Sequence, residues 1–227
     1  MTPSGGSPWS APGTVAGFAQ AAPNAVLMRY ALERLSRSAH GRVLDLGCGA
    51  GRNAVPLAQS GWQVTGIDSS RPMLEGAAQR ARHAGLEQRL GLALATMERL
   101  PVRERSFDLV IAHGIWNLAR SAAEFRSAVR EAARAARPGA GLFVFTFSRH
   151  TLPPEAEPVA GEPFVFTQFS GQPQCFLTEQ QLVAEMQAAG FLRPAGEPVT
   201  EYNRPQGDAL RLGGGPVIYE ATFTFAG

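Results

Sequence analysis

The chain has 227 residues, 44% of them hydrophobic, with 25 glycines, 17 prolines and a formal net charge of +2. That supplies one full core and no apolar run long enough to span a membrane, which predicts a single soluble α/β domain with no membrane partner. All 21 basic residues are arginine, which removes lysine Schiff-base chemistry, and the two cysteines, Cys48 and Cys175, make neither a disulfide framework nor a zinc site, so no metal is expected.

Residues 1–17 are rich in Ser, Gly and Pro and lack a basic start followed by an apolar stretch. They read as a flexible lead, not a secretion signal, and a cytoplasmic protein is expected. The single domain then runs over 18–227. Residues 25–36 carry Val26, Leu27, Tyr30 and Leu35 at helical spacing behind Pro23 and the capping candidate Asn24, predicting a cover helix ahead of the first strand. From residue 43 the chain reads V-L-D-L-G-C-G-A-G-R-N-A-V-P-L-A. A buried strand runs into Gly47, Gly49 and Gly51, then into helical spacing from near Arg52. Glycines let the chain bend sharply and let a ligand approach bare backbone, and the following helix points free N–H groups at it. Asp45 adds a carboxylate that can accept from an ammonium or hydroxyl. Cys48 is expected to contribute compactness and a backbone amide.

Residues 62–67 read as a second strand ending in Asp68, about twenty residues after the glycine turn, where a ribose-binding acid belongs. A helix over 71–85 and a strand over 90–95 follow. Residues 107–113 form a nearly unbroken apolar run, as expected of a central strand covered on both faces. Residues 122–136 form an Ala-rich helix, and Arg126, Arg130, Arg134 and Arg137, the last just beyond it, line up at helical spacing beside Glu131. This reads as a solvated face, so no nucleic-acid partner is expected. A fifth strand covers 142–148. Residues 151–177 are too long for an ordinary connection and rich in Pro and Phe, predicting a lid. Thr178 and Gln181 form a capping-box pattern for a helix ending at Gly190, and two last strands lie within 191–202 and 217–225.

D-L-G-C-G-A-G, then G-I-D-S-S with Met73 behind it, then L-P-V-R-E-R-S-F-D-L-V-I-A at 100–112, resembles the class I S-adenosylmethionine-dependent methyltransferases in motif order and spacing, from about residue 42 to the C-terminus. The resemblance implies a Rossmann-like, seven-stranded, mostly parallel sheet with an antiparallel last strand and helices on both faces. It implies S-adenosyl-L-methionine as cofactor, held at the carboxyl ends of the strands by Asp45, Gly47, Cys48, Gly49, Gly51, Arg52, Asn53, Asp68, Ser69, Met73, Thr96, Met97, Glu98 and His113. Met73 is placed to contact adenine or to serve as helix core. Thr96 stands where the family often has an acid for the adenine amino group, so the Thr96 hydroxyl or Glu98 is the substitute, with the Met97 amide for a ring nitrogen.

Methyl transfer needs a base only for a protonated nucleophile. His113 is the first candidate, with a wall residue as its bland reading, and His150 the second. Tyr30, Trp116, Asn117, Arg149 and Phe166 are the expected substrate contacts. The expected reaction is in-line transfer to O, N or S of a small-molecule metabolite. The residues after the fourth strand, A-H-G-I-W-N, lack the motif of relatives that methylate amide or adenine amino groups. Two other readings compete: a nicotinamide-dependent dehydrogenase, disfavoured by G-x-G-x-G in place of G-x-G-x-x-G, and a non-catalytic S-adenosylmethionine-binding protein. The sequence carries no signal for oligomeric state.

Overall fold

The computed structural model describes residues 8–38, 41–204 and 215–227. The helices are α1 (Pro12–Gln20), α2 (Ala25–Leu35), α3 (Ala54–Gln59), α4 (Arg71–His83), α5 (Ala122–Ala135) and α6 (Glu179–Ala188). The strands are β1 (Arg42–Leu46), β2 (Gln63–Asp68), β3 (Leu90–Leu94), β4 (Phe107–His113), β5 (Ala136–Phe147), β6 (Val165–Phe166), β7 (Gln174–Cys175), β8 (Phe191–Leu192), β9 (Thr200–Tyr202) and β10 (Ile218–Phe225). The main sheet has the order β3-β2-β1-β4-β5-β10-β8, with β9 also on β10. β1 to β5 pair in parallel, and β10 is antiparallel to β5, β8 and β9.

This is the Rossmann-like architecture with an antiparallel last strand, with one difference in count. The sheet has eight strands, because the expected sixth strand is split into β8 and β9. The intervening residues include Pro194, Gly196 and Pro198. Proline cannot donate to a ladder, so pairing with β10 stops and resumes.

Two apolar layers hold the sheet. One gathers α5 and α6 around Phe125, Phe191 and Phe223; the other gathers α2, α3 and α4 around Leu27, Leu57 and Trp62. β4, sandwiched between the layers, buries Leu109, Val110, Ile111 and Ala112 completely, the reason its sequence is apolar without alternation. Local capping sets the helix starts. The Asn24 side chain accepts from Leu27 N–H at 2.8 Å, Ser121 from Glu124 N–H at 3.1 Å, and Thr178 with Gln181 forms the full capping box.

Two segments differ from expectation. Residues 8–10 form a 3-10 turn and 12–20 form α1, so the lead expected over 1–17 contains helix that lies on α4. The segment 151–177 makes its own cluster from Leu152, Phe166 and Phe176, while Phe164 joins the core beneath α5. Arg149 organises this segment. Its guanidinium donates to the carbonyls of Leu152, Pro153, Pro154 and Ala156 at 2.8–3.3 Å and lies 4.9 Å from the centre of the Phe166 ring.

Candidate active site

The glycine turn sits at the carboxyl end of β1 and depends on left-handed backbone. Gly47, Gly49 and Gly51 have φ of +66°, +53° and +78°, a region open to glycine at little cost. Close packing adds a second constraint. A Cβ on Gly47 would lie 2.9 Å from Ile115, and one on Gly51 3.1 Å from Val55. A Cβ on Gly49 would meet Phe18 and the Met73 sulfur only at ordinary contact distances, 3.6 and 3.8 Å, and Gly49 borders a cavity.

That cavity holds about 230 Å3 and is lined by Gly47, Gly49, Arg52, Asp68, Ser69, Met73 and His113, together with Trp9, Phe18, Gly114, Ile115, Leu118 and Phe145. Asp68 is fixed at its edge. One carboxylate oxygen accepts from Gly49 N–H and the other from Ser70 N–H, both at 2.8 Å. Each oxygen keeps a further lone pair for a ligand hydroxyl.

Asp45 is fully buried, and its Oδ2 has no hydrogen-bond partner. Burial pushes its pKa up to about 7, against the opposing pull of the Arg52 guanidinium. A buried polar oxygen left without a donor is costly, and Asp45 itself is not among the residues that line the cavity, although Arg52 beside it is. His113 is a wall of the same cavity. Its ring stacks on Phe145 with centroids 4.1 Å apart, and Arg52 Nη2 lies 2.9 Å from its Nδ1. Burial, reinforced by the Arg52 charge, drives its pKa down to about 3.

Several expected contacts lie elsewhere. Cys48 does not present its amide, because that N–H donates to Ile67 C=O at 3.0 Å, and its thiol is held far above the usual range by burial. Gly51 faces Val55 and Ala77, and the Asn53 side chain accepts from Asn24 N–H at 3.1 Å. Thr96, Met97 and Glu98 do not line the cavity; Met97 packs on the core, and Glu98 bonds to Thr96 and Glu124 side chains. Trp116 and Asn117 turn inward, 0% and 2% exposed, with Trp116 edge-on to Phe125. Arg149 and Phe166 belong to the 151–177 segment as described. Tyr30 lines a different cavity, and the His150 Nδ1 lies 2.7 Å from Glu201 Oε1 and does not line the cavity of Gly49 and Asp68.

The missed lining residues had uneven signals. Phe145 shares a strand face with Phe143, two residues back, so the alternation of β5 points to it. Ile115 precedes, and Leu118 ends, a short 3-10 turn after β4, and Trp9 lies in a stretch whose composition suggests no structure. Among the described residues no cluster of three or more His, Cys, Asp or Glu fits a metal, and no helix is long and apolar enough to cross a membrane.

A family model described as a methyltransferase domain matches residues 43–139. The methyltransferase GfsG of Streptomyces halstedii is 37% identical over 137 residues, covering 60% of this chain and 48% of that protein. A demethylmenaquinone methyltransferase of Lactiplantibacillus plantarum is 31% identical over 176 residues, covering 69% of this chain and 72% of that one. The crystal structure of the [4+2]-cyclase SpnF superposes with a TM-score of 0.59 at 27% identity, covering 74% of this chain and 56% of that chain. The chain spans about half the length of the first curated relatives it matches, 48% and 46%.

Proposed function

The chain belongs to the class I S-adenosylmethionine-dependent methyltransferase family, and from that premise we propose that it transfers a methyl group from S-adenosyl-L-methionine to O, N or S of a small molecule. The observation that carries this reading is Asp68, whose two carboxylate oxygens are oriented by Gly49 and Ser70 amides at the mouth of the glycine turn. There it accepts two ribose hydroxyls. Met73, 2% exposed with its sulfur near Gly49, offers a purine a polarisable face. The orphaned Asp45 carboxyl, with Arg52 near it, answers the amino-acid end of the cofactor.

When bound, S-adenosylmethionine supplies an activated methyl on a sulfonium. The chain's own task is to bind, orient and exclude water, and orientation alone is worth roughly 7–11 kcal/mol in favourable cases. His113 is a wall in this scheme. With its pKa near 3, the imidazole is neutral and too weak a base to take a proton from a hydroxyl or ammonium. The His113–Phe145 stack instead gives the transfer path a flat, dry surface.

Other partners follow from the same surface. Arg126, Arg134 and Arg137 each bind an acid, Glu185, Glu131 and Asp108, at 2.7–2.9 Å, which supports a reading without nucleic acid. A cytoplasmic location fits the absence of a membrane-spanning helix among the described residues. The relatedness of a cyclase favours a second reading, in which this fold serves a reaction other than methyl transfer.

Calorimetry with S-adenosylmethionine, S-adenosylhomocysteine and NAD separates the readings. Micromolar binding of the first two and none of NAD is expected, and preference for NAD would restore the dehydrogenase. Incubation with an acceptor library, read by mass, then divides methyl transfer from the second reading.

A further inference from the structure

A second cavity, of about 270 Å3, lies between α2 and the paired strands β9 and β10. Phe143 forms its floor and Tyr30 one wall. Its inner end is Glu220, a carboxylate only 5% exposed. Glu220 accepts from the Asn24 amide at 2.8 Å and from the Tyr202 hydroxyl at 2.9 Å. Both donors are neutral, and no ion pair among the described residues includes Glu220. A buried carboxylate with neutral donors alone keeps much of its desolvation cost, and a cation brought beside it relieves that cost. Among the described residues the rim adds the Glu33 and Glu197 carboxylates and the Arg29 guanidinium, while the Arg34 guanidinium stands 6.0 Å from the centre of the Tyr30 ring.

This cavity is wired to the cofactor cavity. Glu220 pairs with Phe145 across the β5–β10 ladder, and Phe145 carries the His113 ring. The Asn24 amide nitrogen that binds Glu220 lies 3.3 Å from His113 Nε2. One side-chain amide therefore spans from the wall of the first cavity to the inner end of the second.

We infer that the second cavity is the acceptor's anchoring site and takes a small molecule bearing a protonated amine, its nitrogen on Glu220 and its apolar body against Tyr30 and Phe143. The remainder of the acceptor extends past Asn24 toward His113. The inference rests on the methyl-donor reading for its role as acceptor site, whereas its charge preference rests on this cavity alone.

Three probes with one skeleton test it in the full chain: phenethylamine, 2-phenylethanol and phenylacetate, titrated by calorimetry with and without saturating S-adenosylhomocysteine. A charged hydrogen bond is stronger than a neutral one, and the amine is expected to bind about tenfold tighter than the alcohol or the acid, a difference of about 1.4 kcal/mol. Glu220→Gln removes that preference, and Thr200→Trp, at an exposed position of the cavity rim, weakens the amine with S-adenosylhomocysteine binding unchanged. Equal affinity for the three probes in the wild-type chain, no amine binding at about 10 mM, or an unchanged amine affinity in Glu220→Gln overturns the inference. Failure of S-adenosylhomocysteine to bind the wild-type chain overturns the donor reading separately, whatever the probes do.

Discussion

Asp68→Ala removes an acceptor with two duties. In the protein alone, its oxygens satisfy Gly49 and Ser70 N–H at 2.8 Å each. Two amides at a partly open turn lose their partner, costing about 1–3 kcal/mol of stability, at the lower end where water can replace the carboxylate. In the proposed cofactor complex the same oxygens would accept from two ribose hydroxyls. Two charge-assisted bonds at about 1.5–3 kcal/mol each, less what water returns to the variant, leave a net loss of about 2–4 kcal/mol. That corresponds to roughly 30- to 1,000-fold in Kd for S-adenosylhomocysteine. Calorimetry measures the affinity and urea unfolding the stability, with Asp68→Asn as the control that keeps an oxygen acceptor and loses the charge. An Asp68→Ala protein that unfolds cooperatively and binds within about threefold of wild type would refute the assignment.

Asp45 has a folded pKa of about 7 against an ordinary 3.8, so the folded state holds a proton that the unfolded chain releases, and stability from this group is lost as pH rises toward 7. Asp45→Asn is expected to stabilise the cofactor-free protein more at pH 8 than at pH 5, by up to about 3 kcal/mol for the two pH units that lie between 5 and the folded pKa of about 7, and equal shifts in Tm at the two pH values would contradict this. His113 moves the other way: with a folded pKa of about 3 below its ordinary 6.5, the unfolded chain binds the proton first and stability falls as pH drops from 6.5 toward 3. His113→Asn should flatten that slope in urea unfolding, and no ionisation of His113 should show in the pH profile of kcat; a step near pH 6–7 that vanishes in the variant would make it a base after all. Helix α1 contributes no buried residue, yet Phe18 and Trp9 close the cofactor cavity. Deleting residues 1–20 should therefore leave cooperative unfolding intact and weaken S-adenosylhomocysteine, and an unchanged affinity would remove the segment from the site.

The cofactor half of the site was legible because its constraints are local. Gly47, Gly49 and Asp68 are tied to a strand-turn-helix and a fixed spacing, and the structure places all three on one cavity. The acceptor half was not legible because short windows do not say which way a side chain turns. Trp116 and Asn117 follow β4 after two intervening residues, but the 3-10 turn at 116–118 turns both inward and leaves Ile115 and Leu118 on the cavity. Glu220 was invisible for another reason. It sits in an alternating C-terminal strand, 196 residues from the Asn24 amide that engages it, and only the sheet order brings them together. In the phenylalanine-rich 151–177 segment the composition admitted both an acceptor pocket and packing within the lid, and Phe166 and Phe176 pack edge-on to one another there.

A crystal structure with S-adenosylhomocysteine tests the central claim most directly. The ligand is expected in the cavity of Gly47, Asp68 and Met73, with the ribose on the Asp68 carboxylate and a donor opposite the buried Asp45 Oδ2. Density for the ligand elsewhere, or an Asp68 that keeps only its Gly49 and Ser70 amides while the ligand is bound, would contradict it.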